Sequence, residues 1–471
     1  MMPNQIPLLF TADATLQPDT GFFWRKVPNR LATEGFYLAD KGSSLELKDS
    51  RYRFAVATYS LDFDAKYLHT YDYAPEQIWG TYRGDLREAA YSAAPYFFRE
   101  RCYFRVVARR EDGESITAEE AAVLGSTLLF ISTAEPRQLK VFEAEVERAA
   151  ARIGKLREPG ELALALLTDT HMTVNGTWQD TAANLLALHR KVQLNGIIHL
   201  GDLTDGTVSR RLTSFYVKSM LQDMGRLQVP VHIVPGNHDA NYFHGNPEVM
   251  PLHEQAALYQ GHLCPPPPGG GGPSKMVVGG VPLPTYGHKP DPDKTYYYLD
   301  WHAKKLRGIF LSAYQNEARP RYGFDLAQIA WVRDTLGTVP QGWQVLVFAH
   351  DAPLPELDPW SEEIRNGKLL MQALDSSKSR IMAYIHGHAH ADFTYQWRGK
   401  KHFPIIAIGC AKCEDMAERK VEGSHTPARV LGEASQELWD ILIIKRNTSL
   451  HFVRFGAGRD RVIAASQMPS P

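Results

Sequence analysis

Five short apolar runs punctuate residues 160 to 390, and each stops abruptly on side chains that carry hard oxygen or imidazole ligands. Residues 162–167 (LALALL) lead into Asp169 and His171, and 196–200 (GIIHL) into Gly201-Asp202-Leu203-Thr204-Asp205. Residues 229–234 (VPVHIV) are followed by Gly236-Asn237-His238-Asp239, 343–349 (WQVLVFA) by His350, and 380–385 (RIMAYI) by His386-Gly387-His388-Ala389-His390. A short continuous apolar run reads as a buried strand. Carboxylates and imidazoles just past its end are how an α/β protein presents ligands outside the carboxyl edge of a sheet. Between these runs, helical periodicity appears over 181–194, 209–227, 325–336 and 361–373, so strands alternate with helices and the fold class is layered α/β. Two alternating runs over 439–455, around Arg446-Asn447-Thr448-Ser449, predict a β-hairpin that completes the second sheet of this domain.

The first 135 residues read differently. Residues 51–60, 102–108 and 127–132 are strand-like, with aromatic and β-branched residues, and turn-formers separate them. An antiparallel sandwich or jelly roll is expected over 1–135. Its aromatics, among them Trp24, Tyr67, Tyr71, Tyr73, Trp79, Tyr91, Tyr96, Phe97 and Phe98, fill a small β core and an interdomain contact, or else form a platform for a carbohydrate or polymer or a wall over the cleft of the second domain. Leu139, Phe142, Val146, Ala149 and Ile153, spaced three or four apart between Pro136 and Pro159, predict an amphipathic helix over 136–159 that links the domains, either free or packed on the second one. The second domain then runs over 160–471. The segment CPPPPGGGGPSK at 264–275 reads as an exposed loop, and it does not divide the domain because ligand runs lie on both sides.

Composition narrows the function. Lys plus Arg (52) and Asp plus Glu (53) nearly cancel, which leaves no electrostatic footprint for a nucleic-acid partner. No run approaches the roughly 18 apolar residues of a membrane helix. The opening residues show no basic stretch followed by an apolar one, so a cytoplasmic chain is expected, although a trimmed leader would leave the same sequence. The cysteines are Cys102, Cys264, Cys410 and Cys413. Cys410-x-x-Cys413 lacks the second pair that a structural zinc site needs, and reads as two reduced thiols on a loop facing the ligand side.

Asp169-x-His171, Gly201-Asp202-x-x-Asp205, Gly236-Asn237-His238-Asp239, His350 and Gly387-His388-x-His390 together resemble the five-block signature of the calcineurin-like metallophosphoesterases, in the family's order and over roughly 160–455. The resemblance implies a four-layer α/β/β/α sandwich with two divalent metal ions where the sheets meet. It implies Asp169, His171, Asp202 and His390 on the first ion, and Asp202, Asn237, His350 and His388 on the second. A mixed nitrogen and oxygen set of this kind suits Mn, Fe, Zn or Co. By the same resemblance His238 protonates the leaving group, and Asp205 hydrogen-bonds that imidazole and fixes its aim. Purple acid phosphatases carry Tyr where this chain has Asp205 and Gly where it has His171, which argues against that branch. Asp239 reads as a turn-stabilising residue, and His199 and His386 as core histidines. Arg210, Arg211, Asn241, His244 and Arg321, with Arg319 and Tyr322 nearby, are candidate substrate contacts, because an arginine near such a centre can pair with a phosphate. The implied activity is hydrolysis of a small phosphate ester by metal-bound hydroxide. The blocks favour the bacterial class that includes phosphodiesterases; a phosphomonoesterase of the same fold is the alternative. A catalytically silent scaffold is disfavoured because every ligand and His238 are present.

Overall fold

The computed structural model describes residues 4–16, 23–25, 27–33, 37–59, 84–86, 91–132, 138–172, 177–206, 210–242, 246, 248–263, 277–278, 280–287, 294–315, 318–413 and 421–464. His244, Cys264 with the proline-glycine segment, and Tyr67, Tyr71, Tyr73 and Trp79 lie outside the described residues, as do the side chains of Trp24 and Arg211. The chain divides into two compact units. The first is Met1–Arg137 with Thr173–Asn175 and Thr207–Leu212, and the second is Gln138–Met172, Gly176–Gly206 and Thr213–Pro471.

In the second unit two sheets carry all five ligand-ending strands. The first sheet runs Val231–Ile233, Gly196–His199, Leu162–Leu167, Leu438–Ile444, Leu450–Gly456, Arg461–Ile463. Its first three strands are parallel, and the C-terminal hairpin adds antiparallel to Leu162–Leu167. The hairpin was expected in the other sheet. It sits here because Leu438–Ile444, buried along its whole length, covers the open edge of an equally buried strand. The second sheet runs Thr285–Tyr286, Tyr297–Trp301, Leu306–Leu311, Gln344–Ala349, Arg380–His386, His402–Ala407, Phe393–Arg398, with the four strands from Leu306–Leu311 to His402–Ala407 parallel.

Strand alternation sorts the side chains into layers. Leu346 and Phe348 join the core that also holds Leu164, Ile198, Ile441 and Trp439 of the first sheet. Val345 and Val347, on the opposite face, pack with Ile329 and Val332 of the helix Leu326–Gly337 and with Leu370 and Leu374 of Gly367–Ser376. The two sheets thus face each other, and the stacked rings of Tyr297 and Phe310, 4.6 Å apart, lie in that contact. The tyrosine's hydroxyl crosses it to donate to the Ile233 carbonyl at 3.0 Å.

Helix boundaries follow the caps. Asp325 accepts from Gln328 N to start Leu326–Gly337, and Gln193 takes a left-handed φ of 51° to end Trp178–Val192. The helix expected over 361–373 begins only at Gly367. Residues before it pair with another segment instead: Arg365 N donates to the Tyr322 carbonyl at 3.0 Å, and Phe324 N to the Arg365 carbonyl at 2.9 Å. The expected amphipathic helix forms as Lys140–Leu156, and its Val146, Ala149 and Ile153 enter the core of the second unit. The sequence pattern also gave no sign of the helix Leu252–Leu263. No described helix is long and apolar enough to cross a membrane.

The first unit is built from antiparallel sheets. Cys102–Arg110 pairs with Tyr52–Tyr59 along the whole of the latter, and Leu128–Ser132 pairs with Asn4–Pro7 and Ser44–Leu47 in a separate sheet. Rings from the two sheets meet: Phe104 lies 4.8 Å from Phe130 and 4.6 Å from Phe98. Among the described aromatics, Phe98 lies in this β core with Tyr96 edge-on against it at 5.0 Å, whereas Phe97 is exposed. An all-β composition was expected, yet a ten-residue helix, Ala118–Thr127, intervenes. Thr117 and Glu120 close a reciprocal capping box that starts it.

Glu437 gives a pH-dependent test of this packing. Its fully buried carboxyl receives Trp439 Nε1 at 2.7 Å and Thr181 Oγ1 at 2.9 Å, but burial and the nearby Asp180 push it up to about 7 from 4.5. A carboxyl raised in the folded state favours its protonated form. Stability is therefore greatest below pH 4.5 as far as this group is concerned, and is lost as pH rises from there to about 7, by on the order of 3 kcal/mol. Urea unfolding between pH 5 and 8 should show Glu437→Gln flattening that slope relative to the parent protein.

Candidate metal centre

The five turns after the parallel strands converge at the carboxyl edges of both sheets. Bringing the seven candidate ligand side chains to one place requires unusual backbone geometry. Asp169, His171, Asp202, His388 and His390 all take left-handed φ values, between 41° and 62°. Non-glycine residues rarely adopt that region, and such strain clusters at functional sites. The glycines of the motifs serve close approach. A Cβ on Gly236 would sit 2.1 Å from Asp202 Oδ1, and one on Gly387 would sit 1.8 Å from Thr168 Oγ1 and 2.8 Å from Asp169 Oδ2.

Each carboxylate is held by one oxygen and presents the other. Asp169 Oδ2 accepts from Thr168 Oγ1 at 2.6 Å and His388 N at 3.0 Å, while Asp202 Oδ1 accepts from His238 N at 2.8 Å. Asp169 Oδ1 and Asp202 Oδ2, both buried, make no hydrogen bond and point among imidazole nitrogens. Asp169 Oδ1 lies 3.3 Å from His390 Nε2 and 3.7 Å from His171 Nε2. Asp202 Oδ2 lies 3.2 Å from His350 Nε2 and 3.8 Å from His171 Nε2, between the two groups. Asn237 Oδ1 is 2.9 Å from His350 Nε2. Donor atoms about 2.0–2.2 Å from a metal stand roughly 3.0–3.5 Å from one another in tetrahedral or octahedral shells, so the Asp169–His390 and Asp202–His350 spacings fit a shared cation, and those to His171 are slightly wider. Asp169, His171 and His390 form one cluster with the spacing of a metal site; Asp202, His350 and His388 form another.

Electrostatics point the same way. Burial opposes a charge on His350, yet the carboxylates of Asp202 and Asp169 outweigh it and hold the imidazole up at about 9. Burial likewise opposes ionisation of Asp202, and His350, His238 and His171 nonetheless keep its carboxyl well below the usual range. The cavity demands positive charge, which divalent cations supply in place of protons on the imidazoles. The ligand rings are aimed from behind, with His350 Nδ1 donating to the Leu200 carbonyl at 2.7 Å, which leaves Nε2 toward the centre.

His238 stands beside this cluster, its Nε2 3.8 Å from Asp202 Oδ2. Its expected tether differs from the one found. The imidazole Nδ1 bonds the main-chain carbonyl of Asp205 at 2.7 Å, whereas the Asp205 carboxylate lies 3.0 Å from His171 Nδ1 and 3.5 Å from Lys412 Nζ. The turn 202–205 presents its carbonyl to the third block and its side chain to the first, so Asp205 positions both histidines through different atoms. Asp239 ties the second and third blocks together, accepting from Gly236 N at 2.7 Å and Leu203 N at 2.9 Å. His199 is buried against Thr170 Oγ1, and burial holds its pKa down at about 3, as a core histidine requires.

The candidate substrate contacts fare differently. Asn241 is fully buried with both amide ends engaged, by Thr213 Oγ1 and the Glu248 carbonyl, so it braces its loop instead of reaching outward. Arg321 donates to the Asn237 carbonyl at 2.7 Å and lies 3.7 Å over the Tyr242 ring. It therefore supports a ligand-bearing turn. Arg210 opens the helix Arg210–Gly225 and groups with the first unit. Sequence spacing missed Lys412, whose N–H also donates to the Asp169 carbonyl at 3.1 Å, and Asp351, Asp358 and Trp360. Cys410 Sγ donates to that carbonyl too, at 3.1 Å, so this cysteine does face the ligand side.

A family model described as calcineurin-like phosphoesterase matches residues 162–392. This stretch belongs to the calcineurin-like phosphoesterases. Among solved structures, a dimetal phosphatase from Danio rerio is similar at 15% identity with a TM-score of 0.44, covering 65% of this chain and 100% of that one. A phosphopantetheinyl hydrolase from Mycobacterium tuberculosis is similar at 11% identity with a TM-score of 0.31, covering 54% of this chain and 91% of that one. No match is found among curated protein sequences. The calcineurin-like phosphoesterase domain makes the chain a metal-dependent enzyme that hydrolyses phosphate esters.

The close approach at Gly387 yields a direct test. Gly387→Ala should displace Thr168 and the Asp169 carboxylate, so elemental analysis of the purified variant should find at least one metal per chain fewer than in the parent, with the circular dichroism spectrum retained.

Proposed function

We propose that the chain hydrolyses a small phosphodiester at two divalent cations, the first held by Asp169, His171, Asp202 and His390 and the second by Asp202, Asn237, His350 and His388. The observation that carries this reading is the position of Asp202 Oδ2, a buried oxygen without a hydrogen bond that lies between the two ligand groups, where a bridging carboxylate belongs. The nitrogen and oxygen donors suit Mn, Fe, Zn or Co. Cations held there supply Lewis-acid activation of water and neutralise charge on the phosphoryl oxygens.

The protein's own part follows from its hydrogen bonds. A main-chain carbonyl can only accept, so the bond to Asp205 places the His238 hydrogen on Nδ1 and makes Nε2 the nitrogen that exchanges a proton. Nε2 faces the cluster from a side chain that is 16% exposed, and it is the group to deliver a proton to a departing alkoxide. Burial lowers its pKa to about 4, so the protonated form depends on the charge brought by substrate. The lean to a diester comes from the motif blocks, which resemble the bacterial class that includes phosphodiesterases.

With manganese present, a bis(aryl) phosphate should be hydrolysed faster than the aryl monoester; the opposite order would make the enzyme a phosphomonoesterase. His238→Ala should keep both metals by elemental analysis and lose roughly 100- to 10,000-fold in kcat. Metal content that fell together with activity would remove His238 from the proton-donor role.

A further inference from the structure

Behind the second ligand group lies a pair of buried carboxylates that the reaction does not use. Asp351 follows His350 directly, and Asp358 comes seven residues later in the same loop; both are more than nine-tenths buried. Their carboxylates and His388 form a cluster of ligand-type atoms within 4.8 Å of one another. His388 Nε2 lies 3.5 Å from Asp358 Oδ1 and is a buried nitrogen with no hydrogen-bond partner. The same loop grips this histidine a second time, because Trp360 Nε1 donates to the His388 carbonyl at 2.9 Å. Asp358 is itself fixed, with Oδ1 accepting from Trp360 N at 2.7 Å, and Asp351 Oδ1 accepts from Ala352 N at 2.6 Å. The remaining oxygens, Asp351 Oδ2 and Asp358 Oδ2, make no hydrogen bond.

We infer that Asp358 is a positioning residue for the second cation: its carboxylate takes the Nε2 hydrogen of His388, which fixes the ring and leaves Nδ1 as the nitrogen that binds metal. An imidazole has one hydrogen to place when neutral, and a carboxylate partner both chooses the nitrogen that carries it and makes the other more basic. Asp351 stands behind the same ring. His388 lies at φ 62°, in a turn otherwise anchored through its N–H on Asp169 Oδ2, so without Asp358 the ring retains its backbone site and loses its aim. On the first cation's side His171 is aimed by Asp205, and this loop meets His390 through the edge-on Trp360 ring 6.2 Å away, not through a carboxylate. The carboxylate of Asp358 therefore acts chiefly on the second site.

This inference rests on the two-cation reading, and its test separates the two. Metal-stripped parent protein and the variants Asp358→Asn and Asp358→Glu are titrated with manganese by calorimetry, and metal per chain is measured after dialysis. The parent should bind two ions. Asp358→Asn should bind the first ion as the parent does and the second about 10- to 100-fold more weakly, and Asp358→Glu should recover part of that loss. The thermal midpoint of the metal-free Asp358→Asn protein should equal or exceed the parent's, because one of two neighbouring buried carboxylates is neutralised. Unchanged affinity for both ions in Asp358→Asn overturns the inference, as does a lowered midpoint with affinities intact, which would make Asp358 a purely structural residue. Three ions per parent chain, falling to two in Asp358→Asn, would also overturn it and make the acidic pair a metal site in its own right. A parent that binds fewer than two ions removes the two-cation reading itself.

Discussion

The second unit is arranged around the confinement of two carboxylates, Asp169 and Asp202, in an interior where neither is solvated. Each has one oxygen tied by a neighbouring N–H or hydroxyl and the other left bare among imidazoles. Like charges so close in a low-dielectric cavity are unfavourable unless positive charge lies between them. The left-handed turns, the close approach at Gly236 and Gly387 and the convergence of strands from both sheets all serve that one juxtaposition. A pair of divalent cations would resolve it, drawing on the same unbalanced charge that makes the metal-free arrangement costly.

Much of this was legible in the chain because two independent demands coincide in the same residues. A buried parallel strand needs an unbroken apolar run, and a ligand needs a polar side chain at the strand's end; a run such as LALALL followed by Asp169 satisfies both. The ligands could be read one by one since each belongs to a local motif. The role of Asp205 could not be read so well. A short turn offers a carbonyl and a carboxylate within reach of two histidines, and only the three-dimensional path decides which atom meets which ring.

Other parts were hidden for different physical reasons. Asp358 and Lys412 meet the centre through loops that no periodicity describes, and their partners lie 30 to more than 200 residues away in sequence. Residues 361–366 carry helical composition, but main-chain pairing with Tyr322 and Phe324 competes successfully for their hydrogen bonds. The helix Ala118–Thr127 did have a readable start in Thr117 and Glu120; strand-like neighbours on both sides obscured it.

The placement of the C-terminal hairpin bears on how the centre comes into being. The strand that delivers Asp169 is sandwiched between Gly196–His199 and Leu438–Ile444, with Leu162 opposite Ile444, a partner about 280 residues further along the chain. While the polypeptide emerges from the ribosome, that strand has one edge bare until almost the last of the domain has been made. The ligands of the first three blocks are synthesised early but are fixed late, when His350, His388, His390 and the closing hairpin arrive. A chain truncated before residue 438 would carry every proposed ligand and still leave the strand leading to Asp169 without its second neighbour.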